Sequence, residues 1–116
     1  MPRVYESDGY WGRLLANGIS KLMVLRALFD GPGHGYALVH RIEIMSGGFC
    51  APTRGGVYPV LREFERAGCV RHRIDAHGRR LSKVYELTTK GRKALAAGLA
   101  AWERGLPCMR KAIDMR

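Results

Sequence analysis

Apolar residues recur at helical spacing in three stretches of the first part of the chain. The first stretch begins at Ile19 and ends before the helix-breaking sequence at residues 30–33, and the second covers residues 36–45. The third covers residues 54–67, where Thr53 provides a good N-cap. We therefore predict three helices. The first dozen or so residues mix glycine, aromatic and charged side chains, and we expect them to form a loosely held N-terminal arm.

The spacing changes after Gly68. Apolar and polar residues alternate over residues 69–74 and again over residues 81–87, as side chains do on the two faces of a strand. A turn-forming sequence with Gly78 at its centre lies between the two runs. This combination predicts a β-hairpin.

A last helix is predicted after Thr88, which is a good N-cap residue. Its apolar residues are separated alternately by four and three positions, the spacing of a helix that packs along another helix. In so small a chain we expect this seam to meet a second copy in a two-fold homodimer. The predicted dimerisation residues are Leu95, Leu99, Trp102 and Leu106. Pro107 is expected to kink or interrupt the helix.

Basic residues outnumber acidic ones by 20 to 10, which gives the chain a net charge of +10. Such an excess favours a polyanionic partner, but it does not separate DNA from RNA or from an anionic membrane. Residues 54–93 hold most of the excess, with eleven basic and four acidic side chains. No apolar run approaches the length of a membrane span, and the N-terminus lacks the apolar core of a signal peptide. We therefore expect a cytoplasmic protein with no membrane partner.

The third predicted helix has one apolar face and one basic and aromatic face. Such a helix can enter a major groove and contact bases or phosphates. The candidate DNA contacts on this helix are Arg54, Tyr58 and Arg62, and those on the hairpin are Arg79, Arg80 and Lys83. Because the cations cluster on neighbouring elements, we favour a nucleic acid over an ordinary solvated helix face, and together with the seam this favours double-stranded DNA as the partner.

The order of the elements predicts a mostly helical α+β fold, a winged helix-turn-helix with a C-terminal dimerisation helix. Residues 1–88 are expected to form the DNA-binding domain with its N-terminal arm. Residues 89–116 are expected to form the dimerisation helix, in one compact unit with that domain. No cofactor is expected.

Other interpretations of the same residues stay open. A basic RNA-binding domain would share the charge, although it gives no reason for the seam. A repressor that senses thiol oxidation or a soft metal could use Cys50, Cys69 or Cys108, although no two of these form a local pair. An enzyme is disfavoured, because the chain has no phosphate-binding loop and no spacing typical of a nucleophile with its base.

Three motifs resemble those of the PadR-like transcriptional regulators. His34-Gly35-Tyr36 resembles the family motif at the start of the second helix. Residues 52–61, PTRGGVYPVL, resemble its recognition-helix signature, and residues 83–91, KVYELTTKG, resemble the second wing strand and the turn into the dimerisation helix. The motifs occur in the family's order and spacing.

The resemblance implies a homodimer that represses transcription from an inverted-repeat operator until a small effector binds. It implies DNA contacts from Tyr36, Thr53, Tyr58 and Lys83. In the family's short subgroup, flat aromatic molecules bind between the two dimerisation helices, and Trp102, with Leu99 as its neighbour, occupies a similar place. Two positions depart from the pattern: Gly56 stands where the family often has threonine, and Pro107 falls where the dimerisation helix normally continues.

Overall fold

The computed structural model describes residues 4–115, except for the side chains of Arg54 and His77. The elements are a short 3-10 turn (Val4–Glu6), α1 (Asp8–Phe29), α2 (Gly35–Met45), α3 (Arg54–Arg66), β1 (Val70–His77), β2 (Arg80–Leu87) and α4 (Thr89–Asp114). This order confirms the predicted winged helix-turn-helix and its mostly helical α+β class.

The first helix begins much earlier than predicted. It starts at Asp8, because the Ser7 hydroxyl oxygen accepts a hydrogen bond from the Tyr10 amide. The Trp11 indole N–H donates to the Tyr5 carbonyl oxygen at 2.8 Å, which ties the 3-10 turn to the helix. The expected loose arm is therefore wrong from Val4 onward, and the first three residues of the proposed arm lie outside the described part of the chain.

The hydrophobic core is shared by α1, α2, α3, the hairpin and the start of α4. Burial of large aliphatic side chains is the main stabilising contribution in such a domain. The residues with almost no exposed surface include Leu25, Leu38, Ile42 and Leu61. Val57 and Leu61 form the apolar back of α3, as the sequence predicts, so the basic face of that helix points away from the core.

The hairpin forms the wing, with Val70 paired to Leu87 and His77 paired to Arg80. Gly78 begins the tight turn between the strands and has a φ of 63°, a conformation that favours glycine. The segment before α2 extends the sheet, because the backbones of Gly33 and Tyr85 exchange two hydrogen bonds of 3.0 and 2.9 Å. The wing is thereby fixed against the start of α2.

The junction between α3 and α4 is tightly bonded. The Thr88 hydroxyl caps α4 at the Gly91 amide and donates to the Gly68 carbonyl oxygen at 2.7 Å. The Lys90 ammonium donates to the Ala67 carbonyl oxygen at 2.6 Å. A methyl group at Gly91 would lie 2.0 Å from the Cys69 carbonyl oxygen, so only glycine permits this approach. The end of α3 and the start of α4 therefore form one structural unit.

The last helix corrects two further predictions. It continues through Pro107 to Asp114, so the proline does not end it, although proline cannot donate the usual backbone hydrogen bond. Leu95 is only 3% exposed and belongs to the core of its own chain. We therefore remove Leu95 from the predicted dimer seam. The spacing of apolar residues along α4 marks a buried face, but it does not say whether the same chain or a second copy covers that face.

Candidate nucleic-acid interface

The start of α3 is organised by its N-cap. The Thr53 hydroxyl oxygen accepts a hydrogen bond from the Gly56 amide at 3.1 Å, so Thr53 has a structural role in addition to any contact with DNA. Two turns further on, Arg62 is exposed on the face opposite the core. The backbone of Arg54 opens the same helix, and its side chain lies outside what the structure describes.

Tyr58 packs against the start of α2. A methyl group at Gly35 would lie 2.5 Å from the Tyr58 hydroxyl oxygen, so the glycine of the His34-Gly35-Tyr36 motif provides the space that this ring occupies. The centroids of the Tyr58 and Tyr85 rings lie 6.3 Å apart. Burial raises the pKa of Tyr85, the neighbouring Tyr58 and Glu65 add to this effect, and Arg62 opposes it.

A groove separates the wing from the start of α2. It is lined by His34, Tyr36, Ala37, Tyr58, Arg80, Leu81 and Ser82. Tyr36 is 69% exposed at its edge. The structure thus brings together three residues that the sequence analysis proposed separately, Tyr36 on α2, Tyr58 on α3 and Arg80 on β2.

Leu81 is a member of this groove that the sequence analysis missed. It is 72% exposed at the outer part of β2, next to Arg80. The signal was present in the alternation of residues 81–87, because Leu81 shares a strand face with the buried Tyr85 and Leu87. Leu81 therefore adds an exposed apolar side chain to the groove, beyond Lys83 on the same strand face.

The other two candidate DNA contacts on the wing, Arg79 and Lys83, are exposed to solvent. Arg79 is at the turn, and Lys83 lies closer to the core on β2; both are exposed. The Lys83 carbonyl oxygen lies 3.2 Å from the His34 ring nitrogen Nδ1, so the backbone at Lys83 is joined to the start of α2. The base of the wing is joined to α3 through His72 and Glu65. These contacts fix the position of the wing relative to α3.

Residues 24–97 match the family model described as the transcriptional regulator PadR-like family. The match covers more than half of the chain. The protein belongs to the PadR-like family. Its members are DNA-binding transcriptional regulators and not enzymes, so this chain is a DNA-binding transcriptional regulator.

Solved structures of transcriptional regulators resemble this chain. The PadR family regulator from Eggerthella lenta superposes with a TM-score of 0.75 at 25% identity, covering 88% of each chain. A putative regulator from Thermoplasma acidophilum gives a TM-score of 0.65 at 28% identity, covering 88% of this chain and 90% of the other. Bacillus subtilis PadR in complex with operator DNA gives a TM-score of 0.64 at 26% identity, covering 70% of this chain and 46% of that one. Among proteins of curated function, none matches the sequence.

The C-terminal helix of this PadR-like regulator carries the proposed effector residues. Leu99 and Trp102 are partly buried against the core of their own chain. Trp102 lines a shallow groove between α1 and α4, together with Leu22 and Phe64. Leu106 lies beyond that groove and is 60% exposed. The environment of the predicted seam residues therefore changes along α4, from packing against the core of the same chain to exposure to solvent.

The three cysteines lie in different environments. Cys50 and Cys69 are buried free thiols, whereas Cys108 is exposed on α4. Burial raises the pKa of the Cys50 thiol, which keeps it in the less reactive protonated form. Within the described residues, no group of three or more histidine, cysteine or acidic side chains could hold a metal ion. No helix in residues 4–115 is long and apolar enough to cross a membrane.

Proposed function

We propose that this regulator is an effector-responsive repressor that binds an inverted-repeat operator as a homodimer. The observation that carries the proposal is the groove between the wing and α2, in which Tyr36 of α2 and Arg80 of β2 meet Tyr58 of α3. In a winged helix-turn-helix, the major groove receives the helix while the wing contacts the adjacent backbone.

The proposed DNA contacts divide into two kinds. Tyr36, Tyr58 and Arg62 belong to the surface that would face base edges and neighbouring phosphates. Thr53 and the wing cations would position the domain on the phosphate backbone. The wing cations are Arg79, Arg80 and Lys83, and Arg54 joins the first group by its place on α3.

Exposed apolar side chains on two helices support the homodimer. They are Trp11, Leu14 and Leu15 on α1 and Leu106, Met109 and Ile113 on α4. Large exposed apolar side chains, when they form a continuous patch in a small chain, are typical of a protein interaction surface. In the proposed dimer, these residues of one copy pack against those of the second, together with the exposed edges of Leu99 and Trp102.

Two Trp102 rings near the dimer axis could stack on either side of a flat aromatic effector. Such a ligand would favour one arrangement of the two α4 helices over another. It would thereby change the spacing of the two α3 helices and the affinity for the operator. A dimer bound across a promoter would block transcription until the effector arrives.

Selection of bound duplex fragments from the source genome, followed by footprinting, tests the proposal. We expect two protected half-sites related by two-fold symmetry, with centres about one helical turn apart or a multiple of it. Competition with structured RNA at equal salt is expected to leave the operator complex intact. A single protected half-site, or stronger binding to the RNA, would contradict the proposal.

A further inference from the structure

A second cavity lies behind the start of α3, on the apolar side of that helix. Its volume is about 220 Å³. One wall comes from α1, through Ala16, Asn17 and Ser20, and the opposite wall comes from the first turns of α3, through Gly56, Val57 and Val60. The loop between α2 and α3 completes the cavity, which we name the α1–α3 cavity. It is separate from the groove at Trp102 and from the DNA-facing groove.

The size of the α1–α3 cavity indicates the size of a ligand. An apolar protein cavity of roughly 150 Å³ can bind benzene, so about 220 Å³ accommodates one ring with one or two small substituents. The lining residues that the structure describes are all uncharged, and most are aliphatic. Asn17, Ser20 and Thr53 supply polar atoms at the edge. A neutral ring compound with one hydrogen-bonding group fits this chemistry.

Small residues keep the cavity open. Ala16 of α1, Ala51 of the loop before α3 and Gly56 of the first turn of α3 all line it. A methyl group at Gly56 would have the Thr53 hydroxyl oxygen as its nearest neighbour, at 3.6 Å, so alanine would fit there without a clash. Glycine inside a helix is destabilising relative to alanine. Alanine would thus be the more stable residue at this position, and glycine leaves the α3 wall of the cavity without a side chain there.

The walls of the cavity also determine where α3 begins. Thr53 lines the cavity and caps the helix, and Val57 holds the first turn against the core. Further along, α1 and α3 are joined by the ion pair of Lys21 and Glu63, both half-exposed, which contributes little to stability. A ligand between α1 and α3 would therefore move the first turn of α3 rather than a distant element.

We propose that the α1–α3 cavity is a binding site for a small neutral ring compound that regulates the DNA-binding surface. This inference rests on the proposed operator binding. It places a regulatory site inside the DNA-binding unit, separate from the Trp102 pocket. Because coupling between two sites is reciprocal, operator DNA must change the affinity of the cavity for its ligand by the same factor.

Titration with benzyl alcohol, a water-soluble ring compound with one hydroxyl group, tests the site. We expect saturable amide shifts in two-dimensional NMR spectra at residues 16–24 and 50–60, with a midpoint on the order of 1 mM. At saturation, operator affinity is expected to change by about fivefold or more, within the usual range of allosteric coupling.

Filling the cavity with a larger side chain should remove both the amide shifts and the change in operator affinity caused by benzyl alcohol. Ala16→Leu and, independently, Ser20→Leu are expected to abolish the shifts at residues 50–60, whereas Ala97→Leu on the exposed side of α4 should leave them unchanged. Trp102→Ala should also leave them unchanged, because the two sites do not share residues.

Three results would overturn the inference. They are the absence of saturable shifts in the unmodified protein, shifts confined to the surroundings of Trp102, and saturation without any change in operator affinity. If the unmodified protein does not bind the operator even without benzyl alcohol, the proposed DNA-binding surface is refuted instead. The titration of the free protein thus separates failure of the regulatory site from failure of the proposed function.

Discussion

The two ends of the molecule use their apolar residues in opposite ways. Around α3 and the wing, most large aliphatic side chains, apart from Ile74 and Leu81, lie in the core of their own chain, and cations occupy much of the outside. The outer segments, residues 8–15 of α1 and 106–114 of α4, expose much of their apolar surface instead. The radius of gyration is 16.5 Å, whereas a compact chain of this length would have roughly 13 Å. The end that contains α3 and the wing buries most of its apolar side chains within one chain. The outer segments of α1 and α4 leave much of theirs exposed, which is the composition of an interface.

A charge at the outer end of α4 gives the strongest test of this difference. In Leu106→Asp, the carboxylate would be desolvated within the proposed apolar interface, which costs several kcal/mol. We expect the self-affinity of the chain to fall by a factor on the order of 100 or more, and operator binding to fall with it. Sedimentation velocity measures the change. Ala97→Asp is the control, because residue 97 lies on the opposite face of α4 from residue 106. A Leu106→Asp protein that sediments like the wild type would contradict the proposed interface.

A substitution at the other end should leave assembly intact and weaken only DNA binding. Arg62→Ala is expected to lower operator affinity by about tenfold, since a direct contact of arginine with a base contributes about 1–3 kcal/mol. Fluorescence anisotropy with the selected operator provides the measurement. Arg104→Ala removes the same charge from an exposed site on α4. Equal affinities for the two variants would show that α3 does not present Arg62 to DNA.

Two glycine substitutions separate tight packing from open surface. Gly35→Ala places a methyl group against Tyr58 and is expected to destabilise the fold by about 1–3 kcal/mol. Gly12→Ala, in α1, meets no neighbour within 4 Å and is expected to stabilise the protein by about 0.5–1 kcal/mol. Urea unfolding measures both changes. Destabilisation by both substitutions would contradict the distinction between the two ends.

The wing cations are expected to act mainly through charge. Arg79→Gln should weaken operator binding by a similar factor on every sequence and reduce the salt dependence of binding by about one phosphate contact. Titrations at several salt concentrations measure the slope, with Arg104→Gln as the control. A loss of affinity that differs between operator variants would instead assign Arg79 to base recognition.

The cysteines give the smallest expected effect. Because its pKa is raised by burial, Cys50 holds less thiolate at a given pH than an exposed cysteine, and Cys69 is also shielded. Iodoacetamide should therefore modify Cys108 first, as mass spectrometry can follow, and operator binding should change little. Rapid modification of Cys50 in the native protein would restore the thiol-sensing alternative.

Much of the DNA-binding unit could be predicted from the sequence, because local signals there agree with the tertiary contacts. The N-caps Thr53 and Thr88, the positive-φ glycines Gly68 and Gly78, and the alternation in the wing each have one structural solution. The bounds of α2 and α3 and the apolar back of α3 follow from these signals. The assignment of individual DNA contacts stays a prediction.

The outer segments were harder to predict, because their apolar residues are not arranged around a core. Glycines at positions 9, 12 and 18 hid the first half of α1, although Ser7 caps it. The spacing along α4 correctly marked one apolar face, but spacing does not distinguish a core from a partner, so Leu95 was assigned wrongly. The groove at Leu81 required the position of α2 relative to the wing, which no local pattern contains.

If α4 joins the proposed dimer, the bonded junction between α3 and α4 would couple the orientation of α4 to the position of α3. The 26 residues of α4 extend about 39 Å at a rise of roughly 1.5 Å per residue, and Thr88 and Lys90 bond the start of the helix to the chain just after α3. In the proposed dimer, the angle at which two such rods cross would set the distance between the two α3 helices. A tilt of a few degrees at the crossing becomes a displacement of ångströms at the DNA, where half-site spacing is fixed by the helical repeat.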